Sequence, residues 1–116
     1  MSAPTCLFCK IIRRELPATV VHEDDEVLAF QDIAPKAPVH FLVIPKRHID
    51  GLQALDADNA SIMAPLFACV DRLATKFGVD ESGYRTVINA GADGGQTVFH
   101  LHVHVLGGRP MTWPPG

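Results

Sequence analysis

Basic residues are few in this sequence, and long hydrophobic runs are absent. Lysine and arginine number 10 against 13 aspartates and glutamates, so the net charge is -3, and a nucleic acid held on a broad basic surface is not an expected partner. No apolar run approaches the roughly 20 residues that a membrane-spanning helix needs, and residues 1–10 contain no signal-like segment. We therefore expect a cytoplasmic protein with neither a nucleic-acid nor a membrane partner.

Cysteine is also scarce, whereas histidine is unusually frequent. The three cysteines cannot all pair in disulfides, and two of them, Cys6 and Cys9, have a spacing that suits metal binding in a reducing compartment better than a disulfide framework. Hydrophobic residues make up 47% and charged residues 20% of the chain, which is typical of a folded protein and excludes disorder. The length of 116 residues predicts a single domain at 1–116.

Apolar periodicity predicts strands and helices that are punctuated by glycine and proline. The predicted elements are a short helix at 8–14 ended by Pro17, strands at 20–23, 27–30, 40–44, 86–89 and 98–106, and a long helix within 56–77 that ends at Gly78. Asp24 and Asp25 have the turn composition of a hairpin between the first two strands. Five strands and one long helix predict an α+β domain with an antiparallel sheet.

Pro65 is the one residue that disturbs the pattern of the long helix. Apolar residues recur at steps of three or four from Ile62 to Phe77, as they do in an amphipathic helix. A proline fits the first turn of a helix and kinks the interior. The helix therefore either begins a residue or two after Asn59 or is kinked at Pro65, and we favour the late start.

Three of the six histidines alternate with apolar residues in one short segment. Because successive side chains of a strand point to opposite faces, His100, His102 and His104 are predicted to share one face while the apolar residues share the other. Two chemistries fit this arrangement. All three histidines can ligate one metal ion, or one can act as a nucleophile while the others orient it and bind an oxyanion.

The alternation from His100 to His104, followed by two apolar residues, resembles the signature of the histidine triad proteins and is most similar to their nucleotide-binding (HINT) branch. The similarity extends over segments 8–12, 29–33, 37–46, 94–96 and the ending 113–116. The resemblance implies a fold of the α+β type described above and an enzyme that acts on nucleotides. It places the nucleophile at His102, which in the family attacks a phosphate.

Further catalytic candidates follow from the resemblance together with imidazole chemistry. A neutral imidazole attacks through one nitrogen only when an acceptor holds the proton on the other. His40, which the resemblance places beside the site, is expected to help orient His102. Thr97 stands where the HINT branch has serine, so it keeps a hydroxyl that can assist the leaving group and adds a methyl group.

Nucleotide contacts are implied for residues that would otherwise be assigned to turns or to the core. Asp32 can close a turn or accept hydrogen bonds from both ribose hydroxyls, and the resemblance favours the ribose. The glycines before Thr97 let backbone N–H groups approach a phosphate closely, and in the family this stretch and the last triad histidine contact the α-phosphate. The implied nucleotide site, with an apolar slot for a purine, consists of Leu7, Phe8, Ile11, Phe30, Asp32, Ile33, Leu42, Asn89, Gly95, Gln96, Thr97, His102 and His104.

Cys6 and Cys9 supply half of the ligands of a structural zinc site, and two histidines are needed to complete it. Many bacterial histidine triad proteins use the histidine of a Pro-Lys-x-His segment and the first triad histidine, which here are His48 and His100. The resemblance thus implies a structural zinc ion that ties the N-terminal segment to the sheet. Two reduced thiols without a metal are the alternative.

The resemblance implies a homodimer that hydrolyses the P–N bond of purine nucleoside phosphoramidates and releases a monophosphate such as AMP or GMP. Hydrolysis of dinucleoside polyphosphates is one alternative, and a nucleotide-binding adaptor or sensor with incidental catalysis is another. The ending 111–116 contains the only tryptophan, Trp113, and two prolines, which cannot extend a strand ladder. We expect an ordered segment that packs against the second subunit.

Overall fold

The computed structural model describes residues 5–116 and shows a five-stranded antiparallel sheet with a helix on each face. Residues 1–4, the beginning of the stretch predicted to lack a signal-like segment, lie outside the described residues. The elements are helix α1 (Leu7–Ile12), strands β1 (Val20–Glu23), β2 (Val27–Gln31) and β3 (Val39–Pro45), helix α2 (Met63–Lys76), and strands β4 (Tyr84–Val87) and β5 (Val103–Gly107). The strand order β1-β2-β3-β5-β4 confirms the predicted α+β fold.

The central strands β2 and β3 are apolar on both sides because both faces of the sheet are covered. On one face, Val27 and Phe41 belong to the core that packs against α2. On the other face, Phe30 and Leu42 pack against Phe8 of α1. Since α1 has only six residues, it covers only part of its face, and the uncovered part forms the wall of the candidate site.

Helix α2 begins late, as the favoured interpretation predicts. A turn of 3-10 helix at Ala60–Ile62 leads into α2 at Met63, so Pro65 lies in the first helical turn, where a missing backbone N–H breaks no helical hydrogen bond. The proline is therefore accommodated without a kink. None of the helices in residues 5–116 has the length and apolar character that a bilayer crossing requires.

The structure shifts an end of three predicted elements by two residues or more. The helix predicted at 8–14 is α1 at Leu7–Ile12, the strand predicted at 86–89 is β4 at Tyr84–Val87, and the strand predicted at 98–106 is β5 at Val103–Gly107. The α1 segment ends early because Arg14 adopts a φ of 64°, which lies outside the helical region. The predicted hairpin is confirmed, and Asp24 Oδ1 closes it by accepting from the N–H of Glu26 at 2.8 Å.

Strand β5 is short because its upstream backbone finds other partners. If β5 continued to pair with β3 upstream of Val103, the ladder would reach Pro45, which has no N–H to donate. The Pro45 carbonyl lies 2.8 Å from His100 Nε2, and the N–H of Leu101 donates to the carbonyl of Ile49 at 2.6 Å. The first two triad histidines therefore lie on an irregular segment that precedes the ladder.

Candidate active site and metal cluster

A cavity of about 590 Å³ lies on the sheet face that α1 partly covers. Every residue expected at the nucleotide site lines it except Gln96. The structure thus brings together Leu7, Phe8, Ile11, Phe30, Asp32, Ile33, Leu42, Asn89, Gly95, Thr97, His102 and His104. Sequence analysis missed five further lining residues, namely Leu16, Pro17, Ala18, Gln31 and Val98. Pro17 signalled only the end of a helix, whereas the chain around it folds against the cavity. The volume suits a small organic ligand.

Gln96 holds the loop that precedes the histidine segment. Its side chain is buried, its Nε2 donates to the carbonyl of Asp50 at 2.7 Å, and its Oε1 accepts from the N–H of Gly91 at 2.9 Å. These bonds use the side-chain amide within the protein. The side chain of Gln96 therefore shapes the loop from outside the cavity lining, and its expected nucleotide contact stays a prediction.

Glycine is favoured at two adjacent positions of this loop for different reasons. A Cβ atom on Gly94 would lie 2.5 Å from the carbonyl oxygen of Ala90, and a backbone atom cannot move aside cheaply. Gly95 has open space around it but a φ of 84°, a left-handed conformation that glycine adopts without steric cost. Because Gly95 lines the cavity, its backbone is accessible to a bound anion.

His102 is held with one ring nitrogen committed to the backbone. Its Nδ1 lies 2.6 Å from the carbonyl oxygen of His100, and since a carbonyl only accepts, Nδ1 carries the proton. Nε2 of the neutral ring therefore keeps its lone pair. Burial lowers the pKa of His102, which favours the neutral and nucleophilic form.

His104 has the opposite proton position. The backbone N–H of Lys36 donates to His40 Nδ1 at 3.0 Å, so a neutral His40 carries its proton on Nε2. His40 Nε2 lies 3.0 Å from His104 Nδ1, which makes this Nδ1 the acceptor and leaves the His104 proton on Nε2. Within one cavity, His102 thus offers a lone pair and His104 offers an N–H donor.

These contacts correct the role expected for His40. The side chain contacts His104, and it is the His100 carbonyl that orients His102. Burial lowers the pKa of His40, and it lowers the pKa of His104 to about 4. Both rings are therefore neutral near pH 7, and the hydrogen bond between them requires no shared charge.

Asp32 combines the two roles that its position allows. Its Oδ1 accepts from the N–H of Ala34 at 2.8 Å and so closes a turn, while the residue also lines the cavity. Its Oδ2 lies 3.4 Å from His40 Nε2. Asp32, His40 and His104 are close enough to surround a cation, but the proton on His40 Nε2 opposes metal ligation there.

A second group of four side chains converges beside the cavity. The ligand atoms of Cys6, Cys9, His48 and His100 lie within 4.8 Å of one another. Cys6 Sγ is 3.3 Å from His100 Nδ1, and Cys9 Sγ is 3.3 Å from His48 Nδ1. These separations are close to the edge of about 3.5 Å expected for a tetrahedron with zinc–ligand bonds of about 2.0–2.3 Å. The predicted ligand set can therefore hold a metal ion.

Both histidines of this group are prepared to bind a metal through Nδ1. His48 Nε2 lies 2.7 Å from Asp50 Oδ1, and His100 Nε2 lies 2.8 Å from the Pro45 carbonyl, so each Nε2–H has an acceptor and each Nδ1 lone pair faces the cysteines. Burial raises the pKa of Cys6, and a cation would offset this cost by stabilising the thiolate. The two thiols and two imidazoles therefore form a Cys2His2 ligand set that suits a metal ion such as zinc.

The alternative in which all three triad histidines bind one ion does not fit the geometry. His100 Nδ1 faces the two cysteines, His102 Nδ1 is bonded to a carbonyl, and His104 Nδ1 accepts from His40. No group of potential ligands found within residues 5–116 contains the three together.

Comparison with known proteins connects this geometry to a family. The model of the HIT domain matches residues 13–111. The chain belongs to the HIT family. It is 56% identical over 110 residues to an uncharacterized HIT-like protein of Synechococcus elongatus, covering 95% of this chain and 96% of that protein.

Solved structures agree with the fold of this HIT protein. The crystal structure of a HIT family hydrolase from Legionella pneumophila matches with a TM-score of 0.94 at 51% identity, covering 97% of this chain and 100% of that chain. The crystal structure of a histidine triad nucleotide-binding protein from Candida albicans matches with a TM-score of 0.81 at 31% identity, covering 95% of this chain and 83% of that chain. The resemblance inferred from the histidine segment is confirmed.

The ending of the HIT protein is irregular and is bonded to the edge strand. Residues 108–116 contain no helix or strand, which confirms the prediction that the prolines prevent a ladder. Arg85 of β4 donates through Nη2 to the carbonyl of Thr112 at 2.9 Å. The Trp113 side chain is nevertheless 81% exposed, so its ring is not covered within its own chain.

Proposed function

We propose that this HIT protein is a hydrolase that cleaves the P–N bond of purine nucleoside phosphoramidates and releases a monophosphate such as AMP or GMP. The observation that carries the proposal is the pair of opposite proton positions in one cavity, on His102 and His104. Transfer of a nucleotidyl group needs both a nucleophile at phosphorus and a donor at the phosphate oxygens. The names of the Legionella hydrolase and the Candida nucleotide-binding protein support the same class.

The reaction proceeds in two displacements. His102 Nε2 attacks the α-phosphorus and forms a new N–P bond, while the bond between phosphorus and the leaving amine breaks and its electron pair goes to the amine nitrogen. That nitrogen takes a proton from water through the Thr97 hydroxyl. The hydroxide left from that water then attacks phosphorus, the bond to His102 breaks with its electron pair returning to Nε2, and the products are the amine, the nucleoside monophosphate and the original enzyme.

Other site residues stabilise these two displacements. The His100 carbonyl accepts from Nδ1–H of His102 and so stabilises the positive charge that the ring acquires when Nε2 bonds to phosphorus. His104 Nε2–H and the backbone beside Gly95 face the phosphate oxygens, whose negative charge they offset in both steps. None of these groups has to move to take part, because each is held by a hydrogen bond or by a fixed backbone conformation.

The cavity walls match the two ends of a nucleoside. Phe8 and Phe30 meet edge to face with ring centroids 5.4 Å apart, and with Leu42 they form an apolar slot for a purine. Asp32, which also lines the cavity, supplies the carboxylate for the ribose hydroxyls. Asn89 borders the same cavity and is assigned to the sugar or phosphate side.

We assign one structural zinc ion to the Cys2His2 group. Bound zinc would crosslink α1 to the segments that carry His48 and His100, and because His102 is not a ligand, the zinc would leave the nucleophile available. Zinc binds thiolates, and a pair of reduced cysteines persists in a reducing compartment such as the cytoplasm. The protein is accordingly proposed to act there as a single domain spanning residues 1–116.

We assign the active form to a homodimer in which the ending of each chain packs against the partner subunit. Strand β4 lies at a sheet edge, where one of its sides has no paired strand among residues 5–116. Large apolar side chains of three elements are exposed: Phe67 of α2, Tyr84 of β4 and Trp113 of the ending. A short chain covers little of such surface by itself, and a twofold partner would bury it.

The deciding experiment supplies AMP linked to an amine through a P–N bond and follows AMP release by phosphorus NMR. Diadenosine tetraphosphate serves as the competing substrate, and a His102→Ala variant controls for contaminating hydrolases. Faster release from the phosphoramidate supports the proposal. Preferred turnover of the dinucleotide would replace it with the polyphosphate hydrolase, and retention of uncleaved ligand would replace it with the adaptor.

A further inference from the structure

Helix α1 carries two functions on six residues. Cys9 and the residue that precedes the helix, Cys6, are two of the four ligands of the candidate metal site. Leu7, Phe8 and Ile11, which alternate with them, line the nucleotide cavity. One short segment therefore forms part of both sites, and its position relative to the sheet determines the geometry of each.

A helix of this length is not stable by itself. Isolated helices shorter than about 12 residues are marginal in water, so contacts with the rest of the protein must hold α1 in place. Sulfur–imidazole contacts of 3.3 Å connect Cys9 of α1 to His48, and the preceding Cys6 to His100. A metal ion at that point would convert these contacts into coordinate bonds, which are far stronger than a thiol–imidazole contact.

Phe8 connects the position of α1 to the candidate nucleophile. Its ring contacts the His102 ring edge to face, with centroids 5.1 Å apart and an interplanar angle of 89°. It also lies 5.9 Å from the ring of the metal ligand His100, whose carbonyl orients His102. A shift of α1 would therefore alter the base slot and the packing around His102 at the same time.

We infer that metal binding and nucleoside binding are thermodynamically coupled through α1, with Phe8 as the positioning residue. Each ligand binds the state in which α1 is docked and so makes that state available to the other. Coupling between binding sites is reciprocal. Zinc must raise the affinity for a nucleoside by the same factor by which the nucleoside raises the affinity for zinc. The inference rests on the proposed nucleotide site but not on the proposed reaction.

The test uses adenosine, which has no phosphate that would chelate zinc directly. Calorimetry measures adenosine affinity for the zinc-loaded and the metal-free protein, and competition with a chromophoric chelator measures zinc affinity with and without saturating adenosine. We expect both affinities to rise by the same factor of about ten, within the usual range of couplings between sites. Hydrogen exchange should show stronger protection of amides 7–12 when either ligand is bound.

Two variants separate coupling from simple binding. Phe8→Leu keeps an apolar wall but removes the ring that contacts His102, and it should reduce the coupling factor to less than about threefold. Leu42→Ala weakens the opposite wall of the slot, and it should lower adenosine affinity while the coupling factor stays near ten. If the metal-free chain unfolds, the gain in zinc affinity caused by adenosine is still measured from the loaded protein and must still be lost in Phe8→Leu.

The outcomes distinguish the inference from the proposed function. Adenosine that binds equally well with and without zinc, or a coupling factor that survives Phe8→Leu, overturns the coupling and leaves the hydrolase proposal intact. Adenosine that does not bind to either form overturns both the nucleotide site and the coupling.

Discussion

Replacing His104 should make the protein markedly less sensitive to mild acid. The His104 side chain is only 21% exposed, and burial lowers its pKa to about 4 in the folded protein. The pKa of histidine in an unfolded chain is about 6.5. Between these two values the unfolded chain binds a proton that the folded protein excludes, so stability falls as the pH falls.

The magnitude follows from the separation of the two pKa values. Each pH unit within the window costs about 1.4 kcal/mol, so His104 alone removes about 2 kcal/mol of stability between pH 7 and pH 5, and about 3 kcal/mol once the pH is below 4. Above about pH 7 neither state is protonated, and the contribution of His104 disappears. This loss is large for a domain whose total stability is about 5–15 kcal/mol.

Urea unfolding followed by circular dichroism at pH 7 and pH 5 measures the effect. His104→Phe keeps a ring but cannot bind a proton, and His104→Gln also keeps an acceptor for the hydrogen bond from His40. Both variants should lose about 2 kcal/mol less than the wild type over this range. The metal ligands are identical in all three proteins, so any acid-induced loss of metal cancels. An equal loss in all three proteins would refute the reasoning.

Three further predictions concern the proposed chemistry, the cluster and the tail. His102→Ala should abolish steady-state AMP release while AMP still binds in calorimetry, because the apolar slot and Asp32 remain. Replacing both Cys6 and Cys9 by serine should remove about one zinc per chain by elemental analysis, and should lower the melting temperature more than the single-turnover rate, because the ligands tether α1 rather than polarise substrate. Trp113→Ala should raise KM for phosphoramidates with bulky leaving groups and leave KM for small ones nearly unchanged.

Each of these predictions has a result that contradicts it. If His102→Ala keeps more than about a tenth of the wild-type turnover, another group is the nucleophile. Such a variant would have lost less than about 1.4 kcal/mol of transition-state stabilisation. A wild-type protein that is purified without metal and is as stable as the zinc-loaded form would remove the structural role of zinc. The tail prediction is contradicted if light scattering shows a monomer at micromolar concentration. It is also contradicted if removal of residues 111–116 leaves the kinetics unchanged for bulky and for small leaving groups.

The sequence allowed prediction of those helices and strands that are determined by the pattern of apolar side chains. The stripe from Ile62 to Phe77 and the late start favoured at Pro65 predicted the long helix. The alternation from His100 to His104 predicted the last strand at 98–106, which in the structure begins at Val103. The start of this strand at Val103 could not be predicted, because it depends on which carbonyl accepts from which backbone N–H. The diversion of the Pro45 carbonyl to His100 leaves no trace in the pattern of apolar residues.

The composition of the candidate site was predicted more completely than its proton positions. Chemistry and resemblance together named the lining residues apart from Gln31, Val98 and the segment 16–18, and they named the four candidate metal ligands. The backbone groups that fix the imidazole protons, at Lys36, Pro45 and His100, have no signature because every residue has an amide and a carbonyl. Asp50 did have a signal, since a metal-ligating histidine commonly donates its second ring N–H to a carboxylate, and Asp50 is the acidic residue nearest to His48 in the sequence.

The two glycines of the loop beside the cavity place very different limits on how this protein can evolve. At Gly94 the obstacle is the Ala90 carbonyl, which any side chain would meet, so a saturation library should retain no other amino acid there. At Gly95 the obstacle is the backbone angle alone, and asparagine tolerates that region better than other residues. The two adjacent positions thus differ in their tolerance of substitution, and single substitutions in this glycine pair can be accepted at position 95 only.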